Sequence, residues 1–120
     1  MPATIYGIKN CTTMKKAFDF LAAHGVEYVL YDYKKTAPEA ARLRQQAEAA
    51  GSVRALINTR GPTWRKLAPE EQARADTAEG ALALMQAHPS LIRRPILETP
   101  QGETLIGFDA EVWQATLGAH

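Results

Sequence analysis

Read in order, the helix and strand patterns of this 120-residue chain predict an α/β fold: a small mixed four-stranded sheet interrupted by a helical insertion. Three observations carry that prediction. A β-rich run over 3–8 passes directly into an apolar stripe of helical spacing. The stretch from about Thr36 to His88 is punctuated by prolines, glycines and capping residues but has no clear strand pattern. Two short β-rich runs then bracket Thr99-Pro-Gln-Gly102, a hairpin signal with glycine at the turn.

The first strand alternates around Ile5, and Gly7 permits close backbone approach near its end. Met14, Ala17, Phe18 and Leu21 fall at i, i+3, i+4 and i+7, which predicts a helix ending at His24-Gly25. A second strand follows over 27–33, and a helix between two strands favours their running parallel. Thr36-Ala-Pro-Glu39 reads as a capping box opening a helix that Gly51 closes. A short apolar connection spans 52–57, Gly61-Pro62 breaks the chain, and 69–75 suggests short helical turns. Asp76-Thr-Ala-Glu79 reads as a second capping box, for a helix bearing Ala78, Ala81, Leu82 and Met85 that stops before His88-Pro89. Strands over 94–98 and 103–108 form the antiparallel hairpin, and Asp109 caps a last helix carrying Val112, Trp113, Thr116 and Leu117.

Length fits one domain, 1–120, around one core. With 46% hydrophobic and 22% charged residues, the composition is that of a soluble globular protein. A net charge of +1 makes no case for nucleic acid. No apolar run reaches membrane-helix length and the start has no secretory pattern, so a cytoplasmic protein is expected, with a monomer as the default. Three scattered histidines and one cysteine offer no metal-ligand spacing.

That cysteine, Cys11, falls where the first strand gives way to the first helix. Backbone N–H groups and the positive end of the helix dipole favour an anion there. Lys9, Lys15 and Lys16 add positive charge, and a thiol so placed becomes a nucleophile near neutral pH. Flanking asparagine, lysine and threonines point to a reactive thiol, because a cysteine serving as core filler would sit within apolar periodicity. Met14 stands where Cys-x-x-Cys would place a second thiol, which excludes an intramolecular dithiol cycle. Turnover through Cys11 therefore needs an external thiol such as glutathione, with no bound cofactor.

Tyr6-Gly-Ile-Lys-Asn-Cys11, Lys15-Lys16-Ala17, Asn58-Thr-Arg60-Gly61, His88-Pro89 and Leu91-Ile-Arg-Arg94-Pro-Ile96 together resemble the ArsC-like family, which includes arsenate reductases and the Spx regulators, and its YffB branch in particular. The resemblance spans essentially the whole chain. It implies a thioredoxin-like fold, a nucleophilic Cys11, substrate or oxyanion contacts from Arg60 and Arg94, and a cis peptide before Pro95 whose backbone edge pairs with a peptide-like ligand. Arg93 is expected on the opposite face of the strand from Arg94, and Trp64 and Trp113 in the core. The chain departs from the arsenate reductases at Gly107, the place of a third arginine on the last strand, and at Gly7, the place of a histidine. It departs from Spx at Met14.

The leading expectation is an oxidoreductase, a glutathione-dependent thiol-disulfide reductase or transferase. Cys11 attacks a mixed disulfide, Arg60, Arg94 and the Pro95 backbone hold glutathione, and Lys9 and Lys15 tune the thiolate. Arsenate reduction is the second reading. The third is an Spx-like regulator that binds a protein partner such as RNA polymerase.

Overall fold

The computed structural model describes residues 2–118. In chain order these form β1 (Ala3–Gly7), α1 (Thr12–Ala23), β2 (Tyr28–Asp32), α2 (Ala40–Ala50), a 3-10 turn (Arg54–Leu56), α3 (Pro62–Lys66) and α4 (Pro69–Ala73). After a second 3-10 turn (Arg74–Asp76) come α5 (Ala78–Ala87), a third (Pro89–Leu91), β3 (Ile96–Glu98), β4 (Thr104–Ile106) and α6 (Ala110–Gly118). Packing divides the chain into two compact units, one made of the chain up to Asp32 and from Arg94 onward, the other of Tyr33–Arg93. No helix of the described residues is long and apolar enough to cross a membrane.

The first unit holds the sheet, in the order β2-β1-β3-β4. β1 pairs parallel with β2, from Ala3 opposite Tyr28 to Gly7 opposite Asp32, and antiparallel with β3, with Ile5 opposite Leu97. β3 and β4 are antiparallel, as the hairpin signal requires. The α1 stripe then has its purpose: Met14, Ala17 and Leu21 are fully buried with Ala3, Ile5, Leu97 and Trp113 in one cluster, against which Phe18 and Phe20 pack. Trp113 is core as expected, and its indole Nε1–H donates to the Gly107 carbonyl at 3.1 Å. Asp109 Oδ1 accepts the Glu111 and Val112 amides, so the last helix starts where its cap residue predicted.

The last two strands are shorter than predicted. β3 begins at Ile96, because Pro95 has no N–H to give a ladder. β4 stops at Ile106, because Gly107 turns to φ +77, a left-handed conformation in which its amide donates to the Pro95 carbonyl at 2.7 Å.

The second unit is helical, as the middle of the sequence predicts. Gly51 ends α2 at φ +97. The expected capping boxes differ from the observed caps. α2 starts from Glu39 with no side-chain cap, so Thr36 does not serve it, while α5 is capped by Thr77 rather than Asp76, its hydroxyl accepting the Gly80 amide at 3.1 Å. A Cβ at Gly80 would lie 1.9 Å from the Arg74 carbonyl oxygen, so only glycine lets the first turn of α5 lie so close to the preceding 3-10 turn. Gly61-Pro62 starts a helix rather than only breaking the chain, with proline at its first position. Trp64 is half-buried, not core, with the Arg54 guanidinium 5.9 Å above its ring.

Candidate active site

Cys11 is the N-cap of α1, with extended backbone (φ −145°, ψ 135°), and its carbonyl accepts the first helical hydrogen bond from Lys15 N at 2.9 Å. Its own amide donates to the Lys9 carbonyl at 3.2 Å, which tightens the Lys9-Asn10 turn that delivers the chain from strand to helix. The strand-to-helix junction is therefore where the residue pattern put it, and the thiol is the residue at the helix mouth.

The side chain is partly exposed. Partial burial alone would push the thiol up. The Met14 and Thr13 backbone amides, followed by a hydrogen bond and charge from the Arg94 guanidinium, outweigh that and hold it below the ordinary thiol range. The sulfur closes no capping hydrogen bond of ordinary geometry, so the amides act on it as oriented dipoles at the helix start.

Cys11 shares an open pocket of about 440 Å³ with Lys9, Asn10, Thr12, Lys15 and Phe18. Both lysines read from the sequence are thus at the thiol pocket, but they differ. Lys9 is exposed, whereas Lys15 Nζ is held 2.8 Å from Asp19 Oδ2, an i,i+4 pair that commits its charge along the helix. Phe18, in the apolar stripe of α1, packs against the core cluster and also lines this pocket. Its ring stacks on Tyr28 with centroids 5.5 Å apart, giving the basic pocket one aromatic wall.

Arg94 is half-buried, and the Arg94-Pro95 peptide bond is cis, with Pro95 buried behind it. Arg60 belongs to the other unit. It lines a separate pocket with Asn58, Thr59, Ala55, Ile57 and Arg93. Arg93 and Arg94 do serve different places, Arg94 acting on Cys11 and Arg93 not, although both precede β3 and so stand outside the strand. Arg93 instead pairs through its backbone with Leu56 and lines the Arg60 pocket.

The departures at positions 7 and 14 are coupled in space. Met14 is fully buried, and a Cβ on Gly7 would stand 2.6 Å from its Sδ and 2.7 Å from its Cε. The thioether occupies the space a side chain at position 7 would need. Sequence reading found both departures but not their coupling, which only the approach of α1 to β1 creates.

A cysteine at the first helix of a mixed sheet, facing an arginine that precedes a cis-proline, defines a thioredoxin-like protein with an arsenate reductase-like thiol reductase fold. The ArsC family model matches residues 6–116, and the chain belongs to that family. It is 40% identical to an uncharacterised protein of Haemophilus influenzae over 93% of this chain and 96% of that one. An Escherichia coli protein named arsenate reductase is 31% identical, over 85% of this chain and 72% of its own. The solved structure of the YffB protein superposes with a TM-score of 0.84 at 38% identity, covering 96% of this chain and 98% of its own.

Proposed function

We propose that this protein is a glutathione-dependent thiol-disulfide reductase or transferase of the cytoplasm that works through one nucleophilic cysteine. The observation that carries the reading is the Cys11 thiol as N-cap of α1, drawn below the ordinary thiol range against its partial burial by the Met14 and Thr13 amides and by Arg94. The Cys11 thiolate attacks the glutathionyl sulfur of a mixed disulfide. The disulfide bond breaks, its electron pair leaves with the substrate sulfur, and that sulfur takes a proton as the free thiol. A glutathione thiolate then attacks the Cys11-glutathione disulfide, releasing oxidised glutathione and regenerating the Cys11 thiolate. Each cycle oxidises glutathione by the two electrons that the mixed disulfide gains.

Arg94 lowers the energy of the Cys11 thiolate each time it is a leaving group or resting nucleophile, and its fork suits a carboxylate of glutathione. Arg60 supplies a second cation for those carboxylates in this reading, and the backbone at Pro95 aligns the peptide part. Lys9 adds charge at the pocket mouth. The protein acts as a monomer and needs no bound cofactor. Steady-state reduction of a glutathionylated peptide, with glutathione as sole reductant, tests the reading. Turnover by the wild-type protein that Cys11→Ser abolishes is the expected result; a wild-type rate no faster than the uncatalysed one defeats it.

Arsenate reduction is the second reading, favoured by the 31% identity to proteins named arsenate reductase. Against it stands Gly107, whose φ of +77 makes a poor seat for the arginine those enzymes carry. Arsenate-dependent consumption of glutathione would support it.

A further inference from the structure

We infer that Phe18, supported by Tyr28, selects among disulfide substrates by receiving an apolar side chain of the departing peptide, two residues from its modified cysteine. The inference rests on the reductase reading above and assigns the part of the substrate that glutathione leaves open. Arg94 bears on the Cys11 sulfur but is not among the residues lining the pocket of about 440 Å³ beside it. With glutathione held on the Arg94-Pro95 side, that pocket is left for the departing chain.

Phe18 stands apart from the rest of α1. Met14, Ala17 and Leu21 are fully buried in the core cluster, and the other aromatic of the helix, Phe20, is enclosed by the rings of His24, Phe108 and Trp113. Phe18 is only partly buried, and its ring lies on that of Tyr28 with the planes 12° from parallel. Tyr28 is itself 37% exposed, on β2, a strand at the edge of the sheet. A ring serving only as core filler would be closed over. Phe18 instead keeps apolar surface on the pocket that holds the thiol, with Tyr28 fixing its plane.

Spacing sets the register. Cys11 and Phe18 stand at i and i+7, on one face of α1 and about 10 Å apart along its axis. A helical side chain leans back over the turn before its own Cα, which brings the Phe18 ring closer to the thiol than that. In an extended peptide the second residue from the modified cysteine projects to the same side as that cysteine, at about 7 Å. The adjacent residue projects to the opposite side.

The test is a series of glutathionylated, glycine-rich peptides with one leucine placed one or two residues from the modified cysteine, on either side, or omitted. Turnover is read as kcat/KM with glutathione as sole reductant. Leucine two residues away should raise kcat/KM about fivefold over the peptide without it, the scale of covering part of one apolar side chain. Leucine at the adjacent position should not. Phe18→Gln should bring that ratio near one, and Tyr28→Thr, which lies outside the core cluster, should lower it. Val112→Ala, which trims an exposed apolar residue of α6, should leave the ratio unchanged. Two peptides are compared on one protein, so a loss of folded Phe18→Gln cancels from the ratio. Calorimetric binding of the same peptides to Cys11→Ser reads the preference without turnover, again at about fivefold. Equal kcat/KM across the series, or an equal gain from leucine at the adjacent position, overturns the inference and leaves the reductase reading standing. If no peptide is turned over, the reductase reading falls by itself: a preference retained in binding to Cys11→Ser upholds the Phe18 contact, and equal affinities overturn it.

Discussion

Two turns of this chain gather positive potential by opposite means. At Lys9-Asn10-Cys11 the backbone does most of the work: a strand ends, a helix starts, and the first amides of α1 converge on the sulfur, with Arg94 added from the far end of the sequence. At Asn58-Thr59-Arg60 the potential comes from side chains, and the backbone serves only to set two arginines on one pocket. An amide array at a helix start is written in local sequence, because a helix boundary is a local event. An arginine pair depends on which residues the 56–58 and 91–93 backbones bring opposite each other, and that register is not local.

The largest effect that would sharpen the contrast is at the thiol itself. Cys11→Ser should reduce peptide-disulfide turnover to the uncatalysed rate while leaving the amide spectrum of the Arg60-Arg93 pocket unchanged; residual turnover would show that the thiol turn is not the reactive one.

Next comes Arg94→Gln, which removes the hydrogen bond and charge that hold the thiol down. Alkylation of Cys11 by iodoacetamide near pH 7 should slow several-fold, with the pH profile moved to higher pH. Lys15→Gln should move the profile less, since Lys15 is already paired with Asp19. Equal shifts would mean that general positive charge, not the guanidinium contact, sets the thiolate. The same depressed thiol also predicts the sign of a stability effect. The folded state releases the Cys11 proton before the unfolded state does. The wild-type advantage over Cys11→Ser should therefore be fully present above the ordinary thiol value of about 8.5. It should be lost as pH falls through the lower folded value, as read by urea melts across that window.

A smaller effect is expected at Gly107. Gly107→Arg forces a side chain into φ +77 and should cost about 1–3 kcal/mol in urea unfolding. A neutral outcome would remove the steric objection to an arginine there and strengthen the arsenate reading.

The smallest contrast is between two threonines that look alike in sequence. Thr77→Ala should cost about 1 kcal/mol, because it deletes an observed N-cap. Thr36→Ala should change stability by less than about 0.5 kcal/mol, because that threonine caps no helix. Equal costs would mean that α2 uses a cap in solution that its Glu39 start does not show.

The fold was largely legible. Period-2 and period-3.6 patterns placed β1, α1, β2, α5 and the final hairpin within a few residues, and the Met14-Ala17-Leu21 stripe marked the buried face. The errors have local causes. Proline removed a ladder donor at 95, glycine turned the chain at 107, and the helix that the Asp76 box predicts starts one residue later, from Thr77. At the candidate site, Cys11, Lys9 and Lys15 were readable because they cluster within one turn of sequence, and they line one pocket. Arg60 and Arg94 came from the motif resemblance. That Arg93 and Arg94 go different ways was legible from their being neighbours, but their place before β3 and the partner pocket of Arg93 depend on the 56–58 and 91–93 pairing.

By itself, the sequence determined that this chain makes a mixed sheet with a helical insertion and carries one thiol at a helix start, since hydrophobic period, capping residues and helix termini are short-range properties. The tertiary structure alone decided that Met14 fills the space over Gly7, that Arg94 bears on the thiol, and that Arg93 joins Arg60. Each of those depends on contact between segments far apart in sequence, and such contacts are set by packing and register, which no local pattern encodes.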